Sequence, residues 1–75
     1  MRIFLDKFRN KATITKRKIY PYYQAPHKED AYILKIISLY EKNMCTFLSV
    51  YETEQDALDK LKTFSCGSYK EIKYF

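Results

Sequence analysis

The feature that most constrains this chain is a pair of apolar segments, residues 31–41 and 44–51, on either side of Lys42 and Asn43. Both are rich in Ile, Leu, Val, Tyr and Phe, and together they read as a β-hairpin. Asn43 tolerates the left-handed conformation that a tight turn demands, although Asn-Gly would be the stronger signal. Side chains alternate across a strand, so a two-residue turn sets Ile33, Lys35, Ile37 and Leu39 on one face with Met44, Thr46, Leu48 and Val50. Tyr32, Leu34, Ile36, Ser38 and Tyr40 share the other with Cys45, Phe47, Ser49 and Tyr51. A hairpin with one wet side alternates apolar with polar residues, whereas here both faces are largely apolar and each needs a cover. One helix covers only one of them. The remaining face is expected to be closed by the N-terminal segment, by a C-terminal strand, or by another chain seated either on Ile33, Ile37, Leu48 and Val50 or on Leu34, Ile36 and Phe47.

That helix is expected over residues 54–64, where Ala57, Leu58, Leu61 and Phe64 recur at helical spacing and Thr53 stands ready to cap the first turn. Glu54 and Asp56 suit the positive end of the helix dipole, Lys60 and Lys62 the negative end, and Asp56 with Lys60 forms an i,i+4 pair. Gly67, the only glycine, ends the element or turns the chain soon after it. A C-terminal strand over residues 69–75 follows. Residues 12–20 alternate weakly and read as a further strand, and Pro21 and Pro26 bracket a turn or edge segment holding Tyr22 and Tyr23. Ile3, Phe4, Leu5 and Phe8 fit a short helix or a strand, with the helix as the expectation. The fold class is α+β: a small antiparallel sheet built on the central hairpin, packed against one main helix.

Seventy-five residues make one domain at most, with a core small enough to need a staple or a partner. Two cysteines, Cys45 and Cys66, are a weak disulfide framework, and no N-terminal signal pattern is seen, so reduced thiols in a cytoplasmic protein are expected. No apolar run approaches the roughly 20 residues that span a bilayer. A membrane-surface role would rest on Ile3, Phe4, Leu5 and Phe8 among Arg2, Lys7 and Arg9, which is too short an anchor. One histidine, His27, and two distant cysteines do not make a zinc site. No nucleophile elbow, phosphate loop or dinucleotide fingerprint is present, so neither catalysis nor a cofactor is expected.

Charge supplies the functional pointer. Residues 1–18 hold seven bases, Arg2, Lys7, Arg9, Lys11, Lys16, Arg17 and Lys18, against the single Asp6, a local net of +6. Residues 19–75 hold seven bases and eight acids, so the chain's formal +5 is one basic segment joined to a nearly neutral remainder. Such segregation points to an anionic partner. Arg9, Lys11, Lys16, Arg17 and Lys18 are the candidate contacts to DNA or RNA phosphates, and Tyr20, Tyr22 and Tyr23 the rings able to stack on bases. No sequence-reading motif accompanies them. The alternative expectation is a protein-interaction module, a homodimer or an inhibitor of a larger protein, that uses an apolar sheet face.

The run Tyr51-Glu52-Thr53-Glu54-Gln55-Asp56-Ala57-Leu58 after the hairpin resembles the strand-to-helix junction of the AP2-like arm-binding domains of phage integrases. That resemblance implies a three-stranded sheet that enters a DNA groove with the following helix behind it. It covers the junction alone, and the open face expected here is aliphatic where the family's is basic and aromatic.

Overall fold

The computed structural model describes residues 1–39 and 44–72, so the expected turn at Lys42 and Asn43, Tyr40 and the last three residues of the expected C-terminal strand lie outside the described residues. Five strands form one sheet: β1 (Arg2–Leu5), β2 (Asn10–Ile19), β3 (Glu29–Ser38), β4 (Met44–Tyr51) and β5 (Lys70–Ile72). One α-helix, α1 (Glu54–Leu61), and a short 3-10 turn at Ser65–Gly67 connect β4 to β5. The strand order is β4-β3-β2-β1-β5, and every pairing is antiparallel. β1 to β4 form a meander. The chain then crosses behind the sheet as α1 and returns beside β1. The protein is therefore an α+β fold with one antiparallel sheet, one main helix and a C-terminal strand.

The N-terminal residues correct the helix expected for them. β1 pairs with β2 from Arg2↔Ile14 to Leu5↔Lys11, and with β5 from Ile3↔Ile72 to Leu5↔Lys70. An isolated two-turn helix would bear the full cost of nucleation, whereas the edge of β2 offers a ready hydrogen-bond ladder. The pleat then sends Phe4 into the core, 6% exposed, and Ile3 and Leu5 to the other side. β1 and β5 are thus strands within the sheet and not lids over it.

The core lies between the sheet and α1. Phe4, Ala12, Ile14, Leu34 and Ile36 come from the sheet, Ala57 and Leu61 from the helix, with Phe47, Tyr51, Phe64 and Tyr69 packed at the margins. Thr53 caps α1 as expected, its hydroxyl accepting from the Asp56 N–H at 3.1 Å. The helix ends at Leu61, three residues short of the expected end, but Phe64 still reaches the core margin and meets Phe47 at a ring-centroid distance of 4.9 Å. The expected Asp56–Lys60 pair is replaced by a different contact: the Lys60 ammonium sits over Phe47 and Phe64, 5.9 and 5.6 Å from their centroids. Gly67 turns the chain with φ of +72°, and Ser65 and Cys66 before it are also left-handed. A β-carbon on Gly67 would meet only the Lys62 carbonyl at 3.8 Å, so its conformation and not the space around it calls for glycine.

The second sheet face has no layer over it among the described residues. It carries Ile3, Leu5, Ile33, Ile37, Leu48, Val50 and Ile72, with Leu48 61% and Val50 51% exposed. The hairpin sorts its faces as the alternation predicts except at its outer end. A β-bulge at Thr46, between the Ile36↔Phe47 and Ile37↔Cys45 pairs, moves Cys45 to the uncovered side and Met44 to the row of Ser38. The Thr46 hydroxyl donates to the Ile36 carbonyl at 3.3 Å and holds the bulge closed. Cys45 and Cys66 are both free and exposed.

Candidate nucleic-acid interface

β2 and β3 outrun their neighbours. β1 stops opposite Ile14 and β4 opposite Tyr32, so the pairs Arg17↔Ala31, Lys18↔Asp30 and Ile19↔Glu29 belong to a two-stranded arm that projects beyond the sheet. Residues 20–28 close its tip. There Tyr20, Tyr22 and Tyr23 are 57%, 64% and 90% exposed, and the Lys28 ammonium lies 5.5 Å from the Tyr20 centroid. His27 stands in the same loop, 3.7 Å from the Glu29 carboxylate.

The pleat divides the basic segment that the sequence presents as one. Arg2 turns to the helix side, where it donates to Glu54 at 2.7 Å and to Glu71 at 2.7 and 2.8 Å. Lys16 and Lys18 share that side and both approach Asp30, at 3.6 and 3.1 Å. The Lys18 hydrogen bond is the main reason the Asp30 carboxyl is held below its ordinary range. Arg9 occupies the β1–β2 turn with φ of +60°, seven residues or more along the chain from Lys16, Arg17 and Lys18. Lys11 and Arg17 alone of the candidate cations face the uncovered side.

Two cations missed in the sequence join them. Lys35, paired with Thr13 and Leu48, stands near the middle of the uncovered face, and Lys70, paired with Leu5, stands at its β5 margin. Among the described residues none of Lys11, Arg17, Lys35 and Lys70 takes part in an ion pair, whereas Arg2, Lys16, Lys18 and Lys62 all do. Among the described strand residues the only carboxylate of matching parity is Glu29, at the end of the arm. Along β2 the uncovered side reads Lys11, Thr13, Thr15, Arg17, four successive hydrogen-bond donors across roughly 20 Å at about 3.3 Å per residue. The alternation was open to view in the sequence; the position of Lys35 beside it depends on the β2–β3 register.

Acids gather on the β3 strand of the arm and after β4. Glu29, Asp30 and Glu52 line a cleft along the arm with Ile19, Pro21, Ala31, Val50 and Tyr51. A second, apolar cleft lies between Phe4, Leu58, Leu61, Gly67 and Tyr69. Among the described residues no group of three or more His, Cys, Asp or Glu side chains converges in a way that could hold a metal ion. No described helix is long and apolar enough to cross a membrane.

Compared with protein-family models, with curated proteins and with solved structures, the chain finds no match in any of the three. Where the integrase-domain junction implies a three-stranded sheet with the helix behind it, the sheet here has five strands, and none of the comparisons shows that family. The observed open face also departs from both descriptions of it, being donor-rich along β2 and aliphatic on the strands beside it.

Proposed function

We propose that this protein binds nucleic acid through its backbone phosphates, along the uncovered side of β2 and the arm that continues it. The observation that carries this reading is the sorting of charge on the sheet: the strand cations Arg2, Lys16 and Lys18 on the helix side have carboxylate partners, while Lys11, Arg17 and Lys35 on the uncovered side have none among the described residues. Unpaired lysine and arginine beside threonine hydroxyls neutralise and hydrogen-bond phosphate oxygens without choosing a sequence. A two-stranded ribbon is narrow enough for the major groove of B-DNA, about 12 Å wide, and exposed tyrosines stack on unpaired bases of a single strand. Lys16 and Lys18, held by Asp30, contribute less than their prominence in the sequence suggests.

The test is binding to two unrelated fluorescent oligonucleotides, duplex and single-stranded, over a salt series. Lys11→Ala with Arg17→Ala and Lys35→Ala is expected to weaken binding to both sequences together and to reduce the salt slope by about 2 to 3, since each duplex phosphate that a cation neutralises adds about 0.9 to it. Lys16→Ala with Lys18→Ala is expected to change it less. Wild-type protein that binds neither oligonucleotide at low salt, or a slope indifferent to the triple substitution, overturns the proposal. The exposure of Leu48 and Val50 favours a second reading, in which a partner protein docks on the aliphatic part of the same face. Its association would resist added salt.

A further inference from the structure

The two edges of the sheet are unlike. β5, at one edge, is three residues long and carries Lys70 and Glu71, with Glu71 engaged by Arg2. β4, at the other, runs for eight residues, Met-Cys-Thr-Phe-Leu-Ser-Val-Tyr, without a charge, a proline or a glycine. Sheet edges are ordinarily protected from pairing by short length, lysine, proline or an inward charge. Among the described residues β4 has only the bulge at Thr46, which lies toward one end and leaves residues 47–51 regular.

We infer that β4 is a pairing edge for a second copy of this chain, joining two five-stranded sheets into one across a two-fold axis. The occupant follows from charge and alternation. An uncharged strand meets no repulsion from itself, and an antiparallel register centred on Ser49 keeps the bulge outside the new ladder. In that register Leu48 faces Val50 of the other copy on the uncovered side, and Phe47 faces the second Tyr51 on the helix side. Both are apolar or aromatic cross-strand pairs of the kind that stabilise sheets. Ser49, small and at the axis, permits close approach.

Lys35 decides between edge pairing and the stacking of two uncovered faces. Stacked sheets lie about 10 Å apart, which would enclose two unpaired lysines near the centre of the contact. Edge pairing leaves both in water and separates them by three strand spacings, about 14 Å, beyond the roughly 8 Å screening length at physiological salt. The inference is independent of phosphate binding, because Lys11 and Arg17 lie on β2, two strands from the new ladder.

Sedimentation of the full chain across the micromolar range tests it. The wild type is expected to sediment as a dimer, and Leu48→Lys with Val50→Lys as a monomer. Ile37→Lys, on the same face but one strand inward, is expected to remain dimeric. Because the double variant can lose its fold, amide exchange of the wild type at low and high concentration gives a second measurement. Protection of residues 47–51 should rise with concentration while that of residues 70–72 stays constant. A monomeric wild type, loss of the dimer in Ile37→Lys, or protection that rises at β5 and not at β4 each overturns the inference.

Discussion

The Asp6 carboxylate accepts four hydrogen bonds: from the Phe8 N–H at 2.9 Å, the Asn10 N–H at 2.7 Å, the Asn10 side-chain amide at 2.8 Å, and the Ser65 hydroxyl. It thereby shapes the β1–β2 turn and ties it to the segment after α1. Partial burial pushes its pKa up, but the bonds from Ser65, Asn10 and Phe8 outweigh burial and hold it below the ordinary carboxylate value. The folded value is the lower one, so the stability Asp6 contributes is complete above the ordinary carboxylate range and is lost as pH falls through its depressed value. Urea midpoints measured from neutral to strongly acidic pH should show this loss in the wild type and a flatter profile in Asp6→Asn. Burial first, and then the same Asp6 charge, keeps the neighbouring Tyr69 phenol protonated to higher pH than usual. Thr53 is a simpler case. Thr53→Ala removes one acceptor for the Asp56 N–H and should cost about 1 kcal/mol in denaturant.

Among the elements, α1 carries its weight through two buried side chains, Ala57 and Leu61. Leu61→Ala should destabilise the fold by roughly 2 to 5 kcal/mol, through reduced burial and a residual cavity, and lower the denaturation midpoint more than Thr53→Ala does. Helix and hairpin were legible in the sequence because each has a period, Ala57, Leu58 and Leu61 at helical spacing and Ile33 and Ile37 at alternate positions, and the cap because Thr53 stands just before the helix. β1 was not. Four residues hold no period, and Ile3 and Phe4 become strand only because β2 and β5 flank them. The bulge at Thr46 was hidden for a related reason, since a two-residue turn and a bulged ladder place the same residues differently and the sequence carries no mark of the choice. The candidate site was half legible. Arg17 and Lys11 lay within the basic segment, but Arg2 is drawn off by Glu54 and Glu71, far away in sequence, and Lys35 comes from another strand.

At the scale of the whole molecule the sheet, helix and arm extend 42 × 27 × 22 Å, with all helical cover on one side. A chain this size buries little apolar surface, so anything that covers Leu48 and Val50 adds visibly to its stability. Thermal midpoints are expected to rise with protein concentration in the wild type and to be independent of it in the Leu48→Lys, Val50→Lys variant. Constant midpoints for the wild type would mean that these side chains stay wet. The contrast between β4 and β5 also bears on how far assembly proceeds. A sheet receptive at both margins would recruit copies without end and grow into a fibre. Under the pairing proposed at β4, Lys70 and Glu71 along the β5 margin give each copy a valence of one, so growth would terminate at a closed pair.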